Sequence, residues 1–182
     1  KLGDDTAYLQ GRVTLNPLKH LDPVGAVCML LFGFGWGRAV PISVLNFRNP
    51  KRDSAIVAIM GPLSNLALAC VFGLIFGLVS PFMEPYGPVF MFLYYGVYLN
   101  CVLFVFNLLP IEPLDGGQAL YCLLAMRMEE EPARKWVLRV SVITLFPIAA
   151  AGFFVLVMSG YNITLLAVSL YLSLLLLFKE KS

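Results

Sequence analysis

Charged side chains vanish from three long stretches of the chain. Residues 54–83 run 30 positions without Asp, Glu, Lys or Arg, residues 85–111 run 27, and residues 140–178 run 39. A helix needs about 20 apolar residues to cross a bilayer core. The first two stretches therefore predict one span each. The third predicts two, broken at Ser159-Gly160-Tyr161-Asn162. Ahead of them, residues 1–23 are polar and interrupted by Asn16-Pro17 and Asp22-Pro23, and Gly11-Arg12-Val13-Thr14-Leu15 predicts at most one short strand. Residues 24–37 are apolar but only 14 long, and carry Gly25, Gly33, Gly35 and Gly37. At 1.5 Å per residue they reach roughly 21 Å, short of a core of about 30 Å.

Basic residues orient the predicted spans. Arg38, Arg48, Lys51 and Arg52 precede the first; Arg127, Arg134, Lys135 and Arg139 lie between the second and third; Lys179 and Lys181 follow the last. The connections at 80–87 and 159–162 have none. Basic loops stay on the cytoplasmic side, which keeps Lys1, Arg12 and Lys19 there only if 24–37 dips into the membrane and returns. The same parity makes residues 88–128 one discontinuous span, because a straight helix of that length would run to about 60 Å. The interruption is Asn107-Leu108-Leu109-Pro110-Ile111-Glu112-Pro113-Leu114-Asp115-Gly116-Gly117, where two prolines and a glycine pair end one helix and start another.

The expected fold is an all-α polytopic transmembrane helix bundle with one discontinuous helix and a re-entrant N-terminal segment. Its parts are a cytoplasmic-side polar segment with its dip (1–53), two core helices (54–128) and a C-terminal helix pair (129–182). The spans are expected at 54–79, 88–127, 136–158 and 161–178. Composition agrees, with 59% hydrophobic and 13% charged residues against about a quarter charged in soluble domains. A net charge of +2 leaves no electrostatic footprint for nucleic acid. Cys28, Cys70, Cys101 and Cys122 are isolated in apolar sequence and read as reduced packing residues. The chain opens without Met on polar Lys1-Leu2-Gly3-Asp4-Asp5, so a preceding segment is expected.

Asp115 carries the chemistry. A carboxylate near the bilayer centre costs about 2.5–3.5 kcal/mol on insertion scales. Irregular backbone at that depth survives only when buried in protein or lining a polar cavity. No Lys or Arg stands between Glu84 and Asp115, so a proton, a basic partner from elsewhere or a metal must offset the charge. Glu112, between the prolines, reads as water-facing. Tyr94, Tyr95 and Tyr98 with Phe90 and Phe92 read as an interfacial belt, and Pro147 as a kink.

Residues 107–117 resemble the second motif of the site-2 proteases, the intramembrane zinc metalloproteases. Gly61-Pro62-Leu63-Ser64-Asn65 is similar to the Gly-Pro-x-x-Asn that opens the preceding helix of that family, and Leu2-Gly3-Asp4 with residues 15–23 to one bacterial branch of it. The resemblance covers roughly residues 1–128. It implies that Asp115 is the third ligand of a Zn2+ whose other two are histidines of a His-Glu-x-x-His helix. It implies that Asn107 faces the scissile peptide and helps hold the oxyanion, with an interhelical hydrogen bond as the structural alternative. His20, Asn65, Pro110 and Gly116 are weaker candidates near the site; for His20 and Asn65, interface and packing roles come first. The chain has one histidine and no His-Glu-x-x-His, so that helix is expected ahead of Lys1. The implied reaction is hydrolysis within or beside a substrate's transmembrane helix, in a multi-pass bacterial cytoplasmic-membrane protein with a cytoplasmic C-terminus. The implied partners are that substrate helix, the bilayer and, in an oligomer, further copies. A broken-helix transporter and a catalytically dead scaffold are the rival readings.

Overall fold

The computed structural model describes residues 2–33 and 35–180. Among the described residues the chain forms seven α-helices and no strand: α1 (Thr6–Leu9), α2 (Pro23–Phe32), α3 (Pro50–Val79), α4 (Pro88–Asn107), α5 (Asp115–Ala125), α6 (Glu130–Ser159) and α7 (Thr164–Glu180). Residues 11–15, expected as a short strand, form turns instead, with Gly11 at φ +61°. Helices α3, α4 and α6 are long and apolar enough to cross a membrane; the apolar part of α7, Thr164–Phe178, is shorter. The predicted break at 159–162 is present. Gly160 takes φ +73°, and Asn162 Oδ1 accepts the Thr164 amide at 3.3 Å to cap α7.

The chain divides into two compact units, residues 55–137 and residues 1–54 with 138–182. In the first, α3 and α4 run antiparallel. A Cβ on Gly96 would meet the Phe72 ring at 2.6 Å, one on Gly73 would touch Val97 at 4.0 Å, and Phe76 packs edge-on against Phe90 at 5.0 Å. Small side chains dominate the buried positions, among them Ala55, Ala58, Ala69, Ala119, Ala125 and Ala133. That composition lets helix backbones approach where lipid offers no hydrophobic drive. Helix α3 starts four residues before its predicted span. Pro50 occupies its first turn, and Asp53 Oδ2 reaches back to accept the Asn49 amide at 2.9 Å, a capping-box arrangement.

In the second unit the predicted dip is a short helix and a return. Asp22 caps α2 by accepting the Gly25 amide at 2.9 Å, and Gly33 ends it in the left-handed region. The chain then doubles back. Leu21 bridges Gly37 antiparallel, and the His20 carbonyl accepts the Arg38 amide at 2.8 Å. Gly25 makes the return possible, since a Cβ there would lie 2.1 Å from the Trp36 carbonyl oxygen. Trp36 stacks on Tyr171 of α7 at 4.9 Å, and Thr164 Oγ1 donates to the Phe32 carbonyl at 3.1 Å. Helix α6 runs unbroken through Pro147.

Asp4 ties the N-terminal segment of this unit to the 43–46 turn. Its carboxylate accepts the Ser43 amide at 2.9 Å, the Asn46 side-chain amide at 3.0 Å and the Thr6 hydroxyl. These donors favour the charged form and hold its pKa far below the usual carboxylate range. A folded-state pKa below the unfolded one contributes stability that is present above about pH 4 and is lost as pH falls further. We expect the protection factor of the Ser43 amide, its exchange rate relative to that of an unstructured peptide at the same pH, to be high at neutral pH and to fall as the solution is acidified below pH 4. Asp4→Asn should show the low protection at every pH.

Candidate active site

The break between α4 and α5 is built by glycines. The chain leaves α4 at Asn107, and the Leu114 amide donates to the Ile111 carbonyl to close a turn at 2.8 Å. That turn lies directly on the first turn of α5. A Cβ on Gly116 would sit 2.4 Å from the Leu108 carbonyl oxygen, and one on Gly117 would sit 2.2 Å from that of Ile111. No residue but glycine fits either place. Gly116 is thus a packing position that fixes the break. Pro110, half-buried in the same turn, has no N–H to offer a continuing helix.

The turn also corrects the reading of Glu112. Its backbone lies against Gly117, where a Cβ would be 2.6 Å from the Glu112 Cα. The side chain is 8% exposed and its neighbour Ile111 is fully buried. Docking on α5 turns this residue inward, away from the water-facing position that its charge implies.

Asp115 opens α5, where the helix N-terminus favours a negative charge by about 0.3–1 kcal/mol. It is half-buried, and its carboxylate faces α3. A Cβ on Gly61 would lie 2.6 Å from Asp115 Oδ2. The Gly-Pro-x-x-Asn sequence does not open a helix here; Gly61 and Pro62 lie inside α3. Pro62 is fully buried, and the Ser64 hydroxyl donates to the Gly61 carbonyl at 2.6 Å. That bond is local to the Gly61 turn; the acceptor that Pro62 leaves without a helical donor is the Ala58 carbonyl. No hydrogen bond or ion pair from the described residues reaches the Asp115 carboxylate, which is shaped only by partial burial.

The α3–α4 register brings Asn107 to the same level. Gly61 lies eleven residues before Phe72, and Asn107 lies eleven after Gly96, the residue packed on Phe72. Eleven residues are close to three whole turns, so each keeps the face of its partner. By this register Asn107 falls at the level of Gly61, and Asp115 lies against Gly61. Asn65 follows one turn along the same face of α3 and is half-buried. Asn100 also shares that α4 face and was missed in the sequence, although it stands seven residues before Asn107. Its amide donates to the Gly96 carbonyl at 2.7 Å. His20 belongs to the other unit, where its Nε2 is 2.9 Å from the Thr14 carbonyl oxygen and shapes the turn ahead of α2.

Asp115 has the donor chemistry of a zinc ligand. Among the described residues no group of three His, Cys, Asp or Glu side chains gathers.

Residues 83–148 match Peptidase family M50. The Bacillus subtilis protein "Putative zinc metalloprotease YwhC" is 45% identical over 125 residues, which cover 64% of this chain and 55% of that protein. Rip2 of Mycolicibacterium smegmatis, which carries the same description, is 34% identical over 170 residues, 86% of this chain and 62% of Rip2. MJ0611 of Methanocaldococcus jannaschii is 29% identical over 98 residues, 53% of this chain and 49% of that protein. The chain thus spans about half to three-fifths of these relatives. No solved structure matches.

The contact at Gly61 gives a direct test. Gly61→Ala places a methyl against the Asp115 carboxylate, and overpacking of this kind costs typically about 1–3 kcal/mol. Gly77 on the same helix has nothing within 4 Å of its missing Cβ. Gly77→Ala should instead be neutral or stabilise by up to about 1 kcal/mol. Thermal unfolding in detergent distinguishes the two.

Proposed function

This chain carries a segment of peptidase family M50, the site-2 protease family, and from that premise we propose that it works in an intramembrane zinc metalloprotease. The substrate class is a membrane protein, cut within or beside a transmembrane helix. The observation that supports this best is the partially buried Asp115 carboxylate, unpaired among the described residues and held against Gly61. A charge kept at such a cost without a protein partner is a ligand in waiting.

Each residue then has a physical role. Asp115 would hold the zinc, its carboxylate set by the α5 N-terminus and by the missing side chain of Gly61. Zinc, when bound, supplies a water of lowered pKa and a Lewis acid for the scissile carbonyl. Asn107, level with Gly61, would donate its amide to the charge developing on that carbonyl oxygen. Gly116 and Gly117 keep the unwound turn docked on α5. The two histidine ligands that this reading requires are not among the 182 residues, whose single histidine is His20. The basic loops support a cytoplasmic C-terminus in a bacterial membrane.

In the full-length protein, Asp115→Ala should abolish zinc retention, measured by elemental analysis, together with cleavage of a single-span reporter in proteoliposomes. Unchanged cleavage would remove Asp115 from the mechanism. Asn107→Ala should lower turnover about 10²–10³-fold with metal content intact. A parallel loss of metal would assign Asn107 to packing.

A further inference from the structure

Three cations are gathered just ahead of α2. The Arg12 guanidinium donates through Nη2 to the Arg38 carbonyl at 2.7 Å, and the Lys19 ammonium donates to the Gly11 carbonyl, next to Arg12, at 3.4 Å. The His20 carbonyl accepts the Arg38 amide at 2.8 Å, which brings Lys19 beside Arg38 along the chain. None of the three has an ion-pair partner among the described residues. Their bonds go to uncharged carbonyls and leave most of their donors unused, since a guanidinium has five and an ammonium three. Arg12 Nε is buried without an acceptor. Three of the four acids in residues 1–54, Asp4, Asp22 and Asp53, are taken up by backbone amides instead. Like charges gathered in this way repel one another, and a buried donor without a partner is rare. A bound anion relieves both.

The surroundings decide which anion. The side chains interleaved with these cations are apolar and stand out from the fold: Val13 is 71%, Leu15 fully and Leu18 74% exposed. Pro23 then opens α2, the short apolar helix that dips and returns. In water such leucines are unfavourable. At a bilayer surface they enter the acyl region while the cations stay among the head groups. A soluble phosphate would engage the cations and leave the leucines in water. We propose that Arg12, Lys19 and Arg38 bind the phosphate of an anionic phospholipid at the bilayer surface, with Leu15 and Leu18 set among the acyl chains. Basic segments beside a membrane attract acidic head groups, each cation adding about fivefold in affinity. The proposal uses none of the residues assigned to catalysis and is independent of the protease reading.

Native mass spectrometry of the full-length protein, released from micelles holding equimolar phosphatidylglycerol and phosphatidylcholine, tests it. The wild type should retain phosphatidylglycerol in preference. Lys19 and Arg38 are exposed, so their substitution spares the packing. Lys19→Gln and Arg38→Gln should each lower the preference about fivefold, and the double variant about 25-fold. Arg127→Gln, an equal loss of charge at an exposed residue of the other unit, should leave it unchanged. In thermal unfolding, phosphatidylglycerol should raise the midpoint of the wild type more than that of the double variant, and inorganic phosphate should raise neither. Equal retention of both lipids by the wild type would overturn the proposal. So would an unchanged preference in the double variant, or an equal loss in Arg127→Gln. Stabilisation by inorganic phosphate as large as by the lipid would assign the cations to a soluble anion and overturn it too. A hexaglutamate peptide that raises the midpoint where phosphatidylglycerol does not would assign them to an acidic protein segment, with the same result.

Discussion

The approach of the Asp115 carboxylate to α3, through the space where Gly61 has no side chain, is the contact on which the site depends. It needs three things at once. Helix α5 must begin at Asp115, the turn from 108 to 114 must lie flat on that helix, and α3 must present bare backbone opposite. Gly116 and Gly117 secure the first two, because the Leu108 and Ile111 carbonyls occupy the space of their missing Cβ atoms. Gly61 secures the third. In a membrane, where apolar burial barely drives helix association, such close approaches carry much of the packing.

The same geometry explains why the carboxylate is held without a protein partner. A lysine or arginine nearby would neutralise it and would also occupy the space a metal needs. Instead the neighbouring group on α3 is a glycine, and the polar residues of these helices, Asn65, Asn100 and Asn107, carry amides. Amides donate and accept without titrating. In the proposed protease they would orient a peptide without changing the charge state of the carboxylate.

The second unit uses glycine differently. Gly25 lets the chain return along α2, and the Trp36–Tyr171 stack and the Thr164 bond to Phe32 fix that return on α7. Gly152 brings α6 and α7 into close contact at one level. Away from that level bulky, exposed residues such as Phe146 stand along an open groove. A close contact at one end and an open slot towards the other are both consequences of where small side chains fall on α6.

Much of this was written into the sequence. The uncharged runs marked α3, α4 and α6, the Ser159–Asn162 turn separated α6 from α7, and the two prolines and glycine pair located the broken helix. These are local effects: hydropathy, proline's missing donor and glycine's freedom act within a few residues. Asp115 was also legible, because an unaccompanied carboxylate in an apolar run is anomalous on its face. Tertiary packing decided the rest. Glu112 turns inward because the turn docks on α5, and Gly61 lies inside a helix because α3 runs on through Pro62. His20 is engaged with the Thr14 carbonyl. Each of those outcomes depends on backbone meeting backbone across a gap that no pattern along one segment encodes.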